Sequence, residues 1–191
     1  FIHAAGFAGL GSGSFAAIKP ASAVRSMKAS ATLAIDNPTA PQIKLSWVAP
    51  KSLFGGKVVG YRIEKSTNNK TFSTLRVNTR SAATNFTVTS GLSVGSTYYF
   101  RVKALTKAGS TTKTGLPSPA AKTVAAVLPK APELISSGVA INTANVSWRG
   151  LSKADAGGVA VTYTAQATAT DEVTVSCTTK STACNRSEEH T

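Results

Sequence analysis

The chain has 191 residues, a net charge of +13 and a hydrophobic content of 42%, enough for one or two domains with packed cores. It is rich in threonine, serine, valine and alanine, and small and β-branched residues together favour strands over helices. No apolar run reaches the roughly 18 residues that a membrane-spanning helix needs. We therefore expect an all-β protein without a membrane span.

The first 23 residues are small and apolar and show neither strand nor helix periodicity. They end in Ala21-Ser22-Ala23 just after Pro20, and small side chains at those two alanine positions are what signal peptidase requires. We predict a partial signal peptide at 1–23, cleaved through recognition of Ala21 and Ala23. It would make the protein secreted, either extracellular or at the cell surface. The alternative is a flexible Gly/Ala leader.

Two stretches repeat one pattern 101 residues apart. The first, "IKLSWVAP", carries Trp47, and the second, "ANVSWRGL", carries Trp148. Each is followed by a loop with a Gly pair and then by a strand-like segment, which contains Tyr61 in the first copy and Tyr163 in the second. A repeat of this length is one small domain rather than a solenoid unit.

The first copy reads as a series of short strands with turn residues between them. In "QIKLSWV", apolar and polar residues alternate, so Ile43, Leu45 and Trp47 share one face of a strand. Seven such strands predict a β-sandwich. We place them at about 30–35, 42–48, 58–65, 71–78, 84–89, 97–106 and 116–124.

The stretch "GLSVGSTYYFRVKAL" joins a turn to one of these strands. Leu92 in the turn and Tyr98 six residues later have the spacing of a tyrosine corner, in which the Tyr hydroxyl bonds back to nearby backbone. Alternation then puts Tyr98 in the core and Tyr99 on the outer face. We assign structural core roles to Trp47, Tyr61, Leu92, Tyr98, Trp148 and Tyr163.

Together these residues resemble the fibronectin type III family. Trp47 matches the core Trp of the family's second strand, Tyr61 the third-strand Tyr, and "GLPSPAAKTV" the last strand. The resemblance implies an immunoglobulin-like β-sandwich, with one complete module at 28–126, a linker at 127–131 and a truncated second module at 131–185. The tail 186–191, "RSEEHT", resembles a translated sequencing adapter, so we predict that it is an artefact and that the gene continues past Asn185.

Positive charge is concentrated in the first copy. Residues 28–128 hold 14 Lys and Arg residues and two acids, a net charge of +12, whereas residues 129–191 have a net charge of −1. Such a module attracts anionic polymers. Anionic cell-wall polymers or polysaccharides are therefore candidate partners for module 1, without specific recognition of nucleic acid. The alternative is a solvated basic surface with no partner.

Residues suited to catalysis are scarce. The two histidines, His3 and His190, lie outside both modules, so no Ser has a nearby base to activate it. Cys177 and Cys184 lack the His partners that would close a tetrahedral metal site. We predict a disulfide between them across a short hairpin, the alternative being two free thiols. We expect no enzyme activity, cofactor or metal.

The sequence indicates a non-catalytic extracellular spacer or binding module pair from a larger secreted bacterial protein with several modules. Two alternatives place the same modules elsewhere. They could be an accessory region of a secreted polysaccharide-degrading hydrolase with its catalytic domain outside this chain, or part of a bacterial surface adhesin. A catalytic domain in the complete reading frame would favour the hydrolase, and a wall anchor or further repeats would favour the adhesin.

Overall fold

The computed structural model describes residues 19–33, 39–140, 143–168 and 174–187. All regular elements in these residues are β-strands, and each strand pair is antiparallel. The predicted all-β class is confirmed. In the described part of the chain, no helix is long and apolar enough to cross a membrane.

Eight strands form a first unit of two sheets. They are β1 (Arg25–Thr32), β2 (Gln42–Val48), β3 (Lys57–Ser66), β4 (Ser73–Arg76), β5 (Asn85–Val88), β6 (Thr97–Ala108), β7 (Thr111–Pro117) and β8 (Ala121–Val124). One sheet has the order β1-β2-β5, and the other has the order β4-β3-β6-β7 with β8 also paired to β6. This is the predicted sandwich, although its first strand begins at Arg25 rather than at about residue 30 and ends at Thr32.

The core of this unit comes from one face of each sheet. Alternating side chains of β2 and β6 point into it, and their neighbours point outward. The largest fully buried side chains are Val24, Ile43, Leu45, Tyr61, Ile63, Phe100 and Val102. The alternation read from the sequence therefore identifies the buried face of β2 and of β6.

The last predicted strand, 116–124, covers the end of β7 and all of β8; β7 itself begins at Thr111, before the predicted start. The break falls at Pro117-Ser118-Pro119, where the prolines have no backbone N–H to give to the sheet. Ser118 replaces the missing bonds: its N–H donates to the Val102 carbonyl at 2.9 Å, and its hydroxyl accepts from the Val102 N–H at 3.0 Å.

The second unit contributes five strands to the described residues. They are β9 (Leu134–Ala140), β10 (Thr143–Trp148), β11 (Tyr163–Thr168), β12 (Thr174–Thr179) and β13 (Ala183–Ser187). One sheet has the order β13-β10-β9, and β11 pairs with β12 in the other. Strand β13 ends inside the predicted artefact: Arg186 and Ser187 pair with β10, although the sequence there shows no strand pattern. Residues 188–191 lie outside the described residues.

A disulfide joins Cys177 to Cys184. Its position differs from the prediction of a bridge across a hairpin. Cys177 lies on β12, which pairs with β11, whereas Cys184 lies on β13, which pairs with β10. The bond therefore links the two sheets of the second unit, because the chain crosses between sheets in the short segment between the cysteines.

Candidate functional site

The predicted tyrosine corner has its hydrogen bond. The Tyr98 hydroxyl accepts from the Ser93 N–H at 2.9 Å, and the Tyr98 ring is buried in the core, with Leu92 packed against the same cluster. The ammonium of Lys65 lies 5.2 Å from the centre of this ring and donates to the Gly91 carbonyl at 2.6 Å. Lys65 therefore ties the turn to the ring that anchors it.

The two tryptophans occupy equivalent places in the two units. Trp47 packs against Tyr61 with ring centres 4.9 Å apart, and Trp148 packs against Tyr163 at 5.4 Å. Both tryptophans are buried. Both are core residues of their units, and Trp148 also forms part of the wall of an open cleft in the second unit.

The predicted cleavage residues lie at the start of the first unit. Ala21 is 0% exposed and belongs to the core cluster, and its carbonyl accepts from the Leu116 N–H at 3.1 Å. Ala23 is partly buried, and Ser22 donates its N–H to the Ser52 carbonyl at 3.0 Å. Cleavage after Ala23 would remove a core side chain, so the predicted signal peptide would be released at some cost in stability. Residues 1–18 lie outside the described residues.

The outer face of the β3–β6 pair contains a carboxylate that no pattern in the sequence indicates. Glu64 is 5% exposed and is held by two cations, Arg101 through its Nε and Lys103 through its Nζ, the latter at 2.8 Å. Burial alone raises the pKa of Glu64, but the hydrogen bonds from Lys103 and Arg101 outweigh it and bring the pKa below its ordinary value. Glu64 is therefore ionised at neutral pH.

More cations share this outer face. Arg62 lies directly opposite Lys103 across the β3–β6 pair, and Lys122 of β8 lies directly opposite Tyr99 of β6. The guanidinium of Arg101 covers the Phe72 ring, 4.1 Å from its centre. We call the outward side chains of Arg62, Tyr99, Arg101, Lys103 and Lys122 the basic face. The sequence gives their total charge, but the strand register is what brings them together.

The junction between the two units is hydrogen-bonded on both sides. On the first unit, Ala125 donates its N–H to the Ser96 carbonyl at 2.9 Å and accepts from the Gly95 N–H at 2.8 Å. On the second, Val127 donates its N–H to the Gly157 carbonyl at 3.2 Å. Ala125, Ala126 and Val127 are all buried, so the chain is enclosed as it passes from one unit to the next.

Two glycines meet at this junction. A β-carbon built on Gly158 would lie 2.4 Å from the Gly95 nitrogen and 2.6 Å from its Cα, which is closer than real side chains approach. Gly158 also has a φ of +82°, a conformation that glycine adopts without a Cβ clash. In the sequence, Gly157-Gly158 is recognisable only as the Gly pair of the second repeat. Nothing in the sequence indicates that Gly158 contacts Gly95.

An ion pair completes the junction. Lys130 donates its N–H to the Asp155 carbonyl at 2.8 Å, and its Nζ lies 2.6 Å from Asp155 Oδ1. Ser152 also donates its hydroxyl to the Asp155 carboxylate at 2.6 Å. The hydrogen bonds from Lys130 and Ser152 lower the pKa of Asp155.

Next to the junction, the second unit has an open apolar cleft. Its volume is about 520 Å³, and its lining includes Leu134, Trp148 and Tyr163. The hydroxyl of Tyr163 accepts from the Leu151 N–H at 3.1 Å. Trp148 and Tyr163 thus form a core that is covered less completely than that of the first unit.

The described residues do not gather the side chains of a metal site. Within 19–33, 39–140, 143–168 and 174–187, no three His, Cys, Asp or Glu side chains come together in a way that could hold a metal ion. His3 and His190 fall outside those ranges. In the described residues, the candidate functional features are the basic face and the junction between the two units.

The model of a known domain family matches the first unit. The model of the fibronectin type III domain matches residues 29–120, a range that covers strands β2 to β7 and the second half of β1. No curated protein matches the chain.

Several solved structures are similar to part of the chain. A segment of titin is 22% identical, with a TM-score of 0.42, covering 56% of this chain and 32% of that one. A β-1,2-glucanase from Parabacteroides distasonis is 22% identical, with a TM-score of 0.38 and coverage of 56% and 12%. The twitchin kinase region from C. elegans is 23% identical, with a TM-score of 0.42 and coverage of 56% and 17%. The chain spans at most about a third of the length of these three proteins.

The first unit combines an antiparallel sandwich, a Trp–Tyr core pair and a tyrosine corner, and the family model matches it over nearly its whole length. Residues 29–120 of this chain are therefore a fibronectin type III domain.

Proposed function

We propose that the chain is a non-catalytic extracellular spacer that holds two sandwich units of a larger secreted protein in a fixed relative orientation. The observation that carries the proposal is the junction. Between the Ala125 bond to the first unit and the Lys130 bond to the second, the chain advances five residues and is buried at 125–127. A flexible linker would instead expose its backbone to water.

The disulfide supports an extracellular location. Disulfides form and persist in secreted proteins and are rare in the reducing cytosol. The Cys177–Cys184 bond links two sheets of the second unit, so it has a structural role there.

Residual dipolar couplings test the fixed orientation. Measured on the whole chain, couplings from both units should fit one alignment tensor. Gly158→Ala should give two different tensors, because its new Cβ would collide with the Gly95 backbone. Gly55→Ala is the matched control, since Gly55 has a φ of +81° but a Cβ added there would meet no atom within 4 Å. Independent tensors in the unmodified chain would refute the rigid spacer.

A further inference from the structure

The basic face combines cations and an aromatic ring on one side of a sheet. On β6, the side chains of Tyr98, Phe100 and Val102 are buried in the core, so Tyr99 and the residues that alternate with it point outward. Successive outward residues on a strand are about 6.6 Å apart. The face therefore presents a regular row rather than a scatter of charges.

The charges on this face are not balanced by the protein. The face has four cations, Arg62, Arg101, Lys103 and Lys122, and one neighbouring carboxylate, Glu64, for a net charge of +3. Both carboxylate oxygens of Glu64 are already engaged.

Arg62 combines a like-charged neighbour with a buried nitrogen that makes no hydrogen bond within the described residues. It lies directly opposite Lys103, and like charges directly opposite each other on a sheet repel. Its Nε is buried, yet within the described residues it makes no hydrogen bond. A bound anion beside Arg62 would relieve the repulsion and accept hydrogen bonds from the guanidinium.

Tyr99 indicates which kind of anion fits. Its ring is partly exposed and lies between Ser66 of β3 and Lys122 of β8. Phe72, by contrast, is covered by Arg101. An aromatic ring offers an apolar surface with a polar hydroxyl at its edge, which suits a sugar ring with its apolar C–H groups and flanking hydroxyls. One such ring also provides little stacking for a run of nucleic-acid bases, which bind to successive aromatic side chains.

We infer that the basic face binds a carboxylated polysaccharide: Arg62 and Lys122 contact its carboxylates, and Tyr99 packs against a sugar ring. The inference is independent of the proposed spacer function, since a flexible junction would leave this face of the first unit intact.

The test measures binding of the 191-residue chain to polygalacturonate at low salt, for example by affinity electrophoresis. Arg62→Gln combined with Lys122→Gln should weaken binding about tenfold, because each lost contact to an anionic group removes a salt-dependent contribution. The matched control is Lys28→Gln combined with Lys44→Gln. These two residues are exposed on the opposite sheet, on strands β1 and β2, and this pair removes the same charge. It should change the affinity less than twofold.

Two further probes separate the sugar from the charge. Tyr99→Ser should weaken binding to polygalacturonate but leave binding to poly-L-glutamate, which has carboxylates without sugar rings, unchanged. Methyl-esterified polygalacturonate should not bind. The assignment would be overturned if the two double variants lost equal affinity for polygalacturonate. It would also be overturned if the unmodified chain bound double-stranded DNA or poly-L-glutamate as tightly as it binds polygalacturonate. Circular dichroism and unfolding midpoints establish that each variant is folded.

Discussion

The Tyr98 hydroxyl accepts a hydrogen bond from the Ser93 N–H, five residues before it in the chain. The bond satisfies a backbone donor in the turn that leads into β6, and the ring beneath it closes one end of the core. The corner therefore fixes how the chain enters the central strand of its sheet.

Removing that hydroxyl should destabilise the first unit moderately. We expect Tyr98→Phe to lower the free energy of unfolding by about 1 kcal/mol, because the ring stays packed while the Ser93 N–H loses its partner. Chemical denaturation followed by tryptophan fluorescence measures the change. Tyr99→Phe serves as the control on the outer face, and a larger loss there than at Tyr98 would contradict the corner.

Emptying the core at Trp47 should cost much more. We expect Trp47→Ala to lower the free energy of unfolding by about 3–5 kcal/mol, because Trp47 is 4% exposed and packs against Tyr61. Val48→Ala, at an exposed neighbouring position, should cost far less. The change can be measured on residues 19–126 produced alone, which should unfold cooperatively as a β-rich monomer. An unchanged unfolding midpoint in the Trp47→Ala variant would rule out a core role for Trp47.

Glu64 should make stability depend on pH in the acid range. Its folded pKa is lowered, so its contribution is complete above the ordinary glutamate pKa of about 4.3. That contribution is lost as the pH falls through the lower folded pKa. At pH 7, Glu64→Gln should cost about 1–3 kcal/mol, since it removes a buried carboxylate from Arg101 and Lys103.

Urea titrations of both proteins between pH 7 and pH 2 check this dependence. The stability difference between the parent and the Glu64→Gln variant should shrink as Glu64 becomes protonated. Glu133→Gln is the control: its ion pair with Arg149 is well exposed on both sides and should contribute little. A difference that persists unchanged to pH 2 would show that charge at Glu64 is not the cause.

The residues before β1 should stabilise the fold. A chain that begins at Val24 should be less stable than one that begins at Lys19 by about 1–3 kcal/mol, because it lacks the buried Ala21 and the bonds to Leu116 and Ser52. Thermal unfolding of the two chains measures the difference. Equal midpoints would mean that cleavage after Ala23 is tolerated at no cost.

Breaking the disulfide should affect the second unit selectively. Replacing Cys177 and Cys184 by Ser opens a short loop, and the chain-entropy relation gives a loss of about 2.5 kcal/mol. Fluorine NMR of the chain labelled with 5-fluorotryptophan distinguishes the units without further substitutions, since Trp47 reports on the first and Trp148 on the second. A matching loss in the first unit would indicate that the two units unfold together.

Local patterns in the sequence predict much of the first unit. Alternation around Trp47 and the six-residue spacing of Leu92 and Tyr98 identify buried positions because they depend on neighbouring residues of one strand or turn. The basic face depends instead on strand register, which places Arg62 opposite Lys103 although 41 positions separate them. The Gly95–Gly158 contact depends on how two units dock. Neither is visible as a local pattern.

The break between β7 and β8 bears on how this protein associates at high concentration. An unbroken, exposed edge strand offers a row of N–H and C=O groups to which a neighbouring molecule can add its own strand, a route to aggregation. Pro117 and Pro119 interrupt that row between β7 and β8, and the Ser118 hydroxyl and N–H are turned inward to Val102. This edge therefore offers two short runs of backbone groups instead of one long run, which makes it a poorer template for an intermolecular sheet.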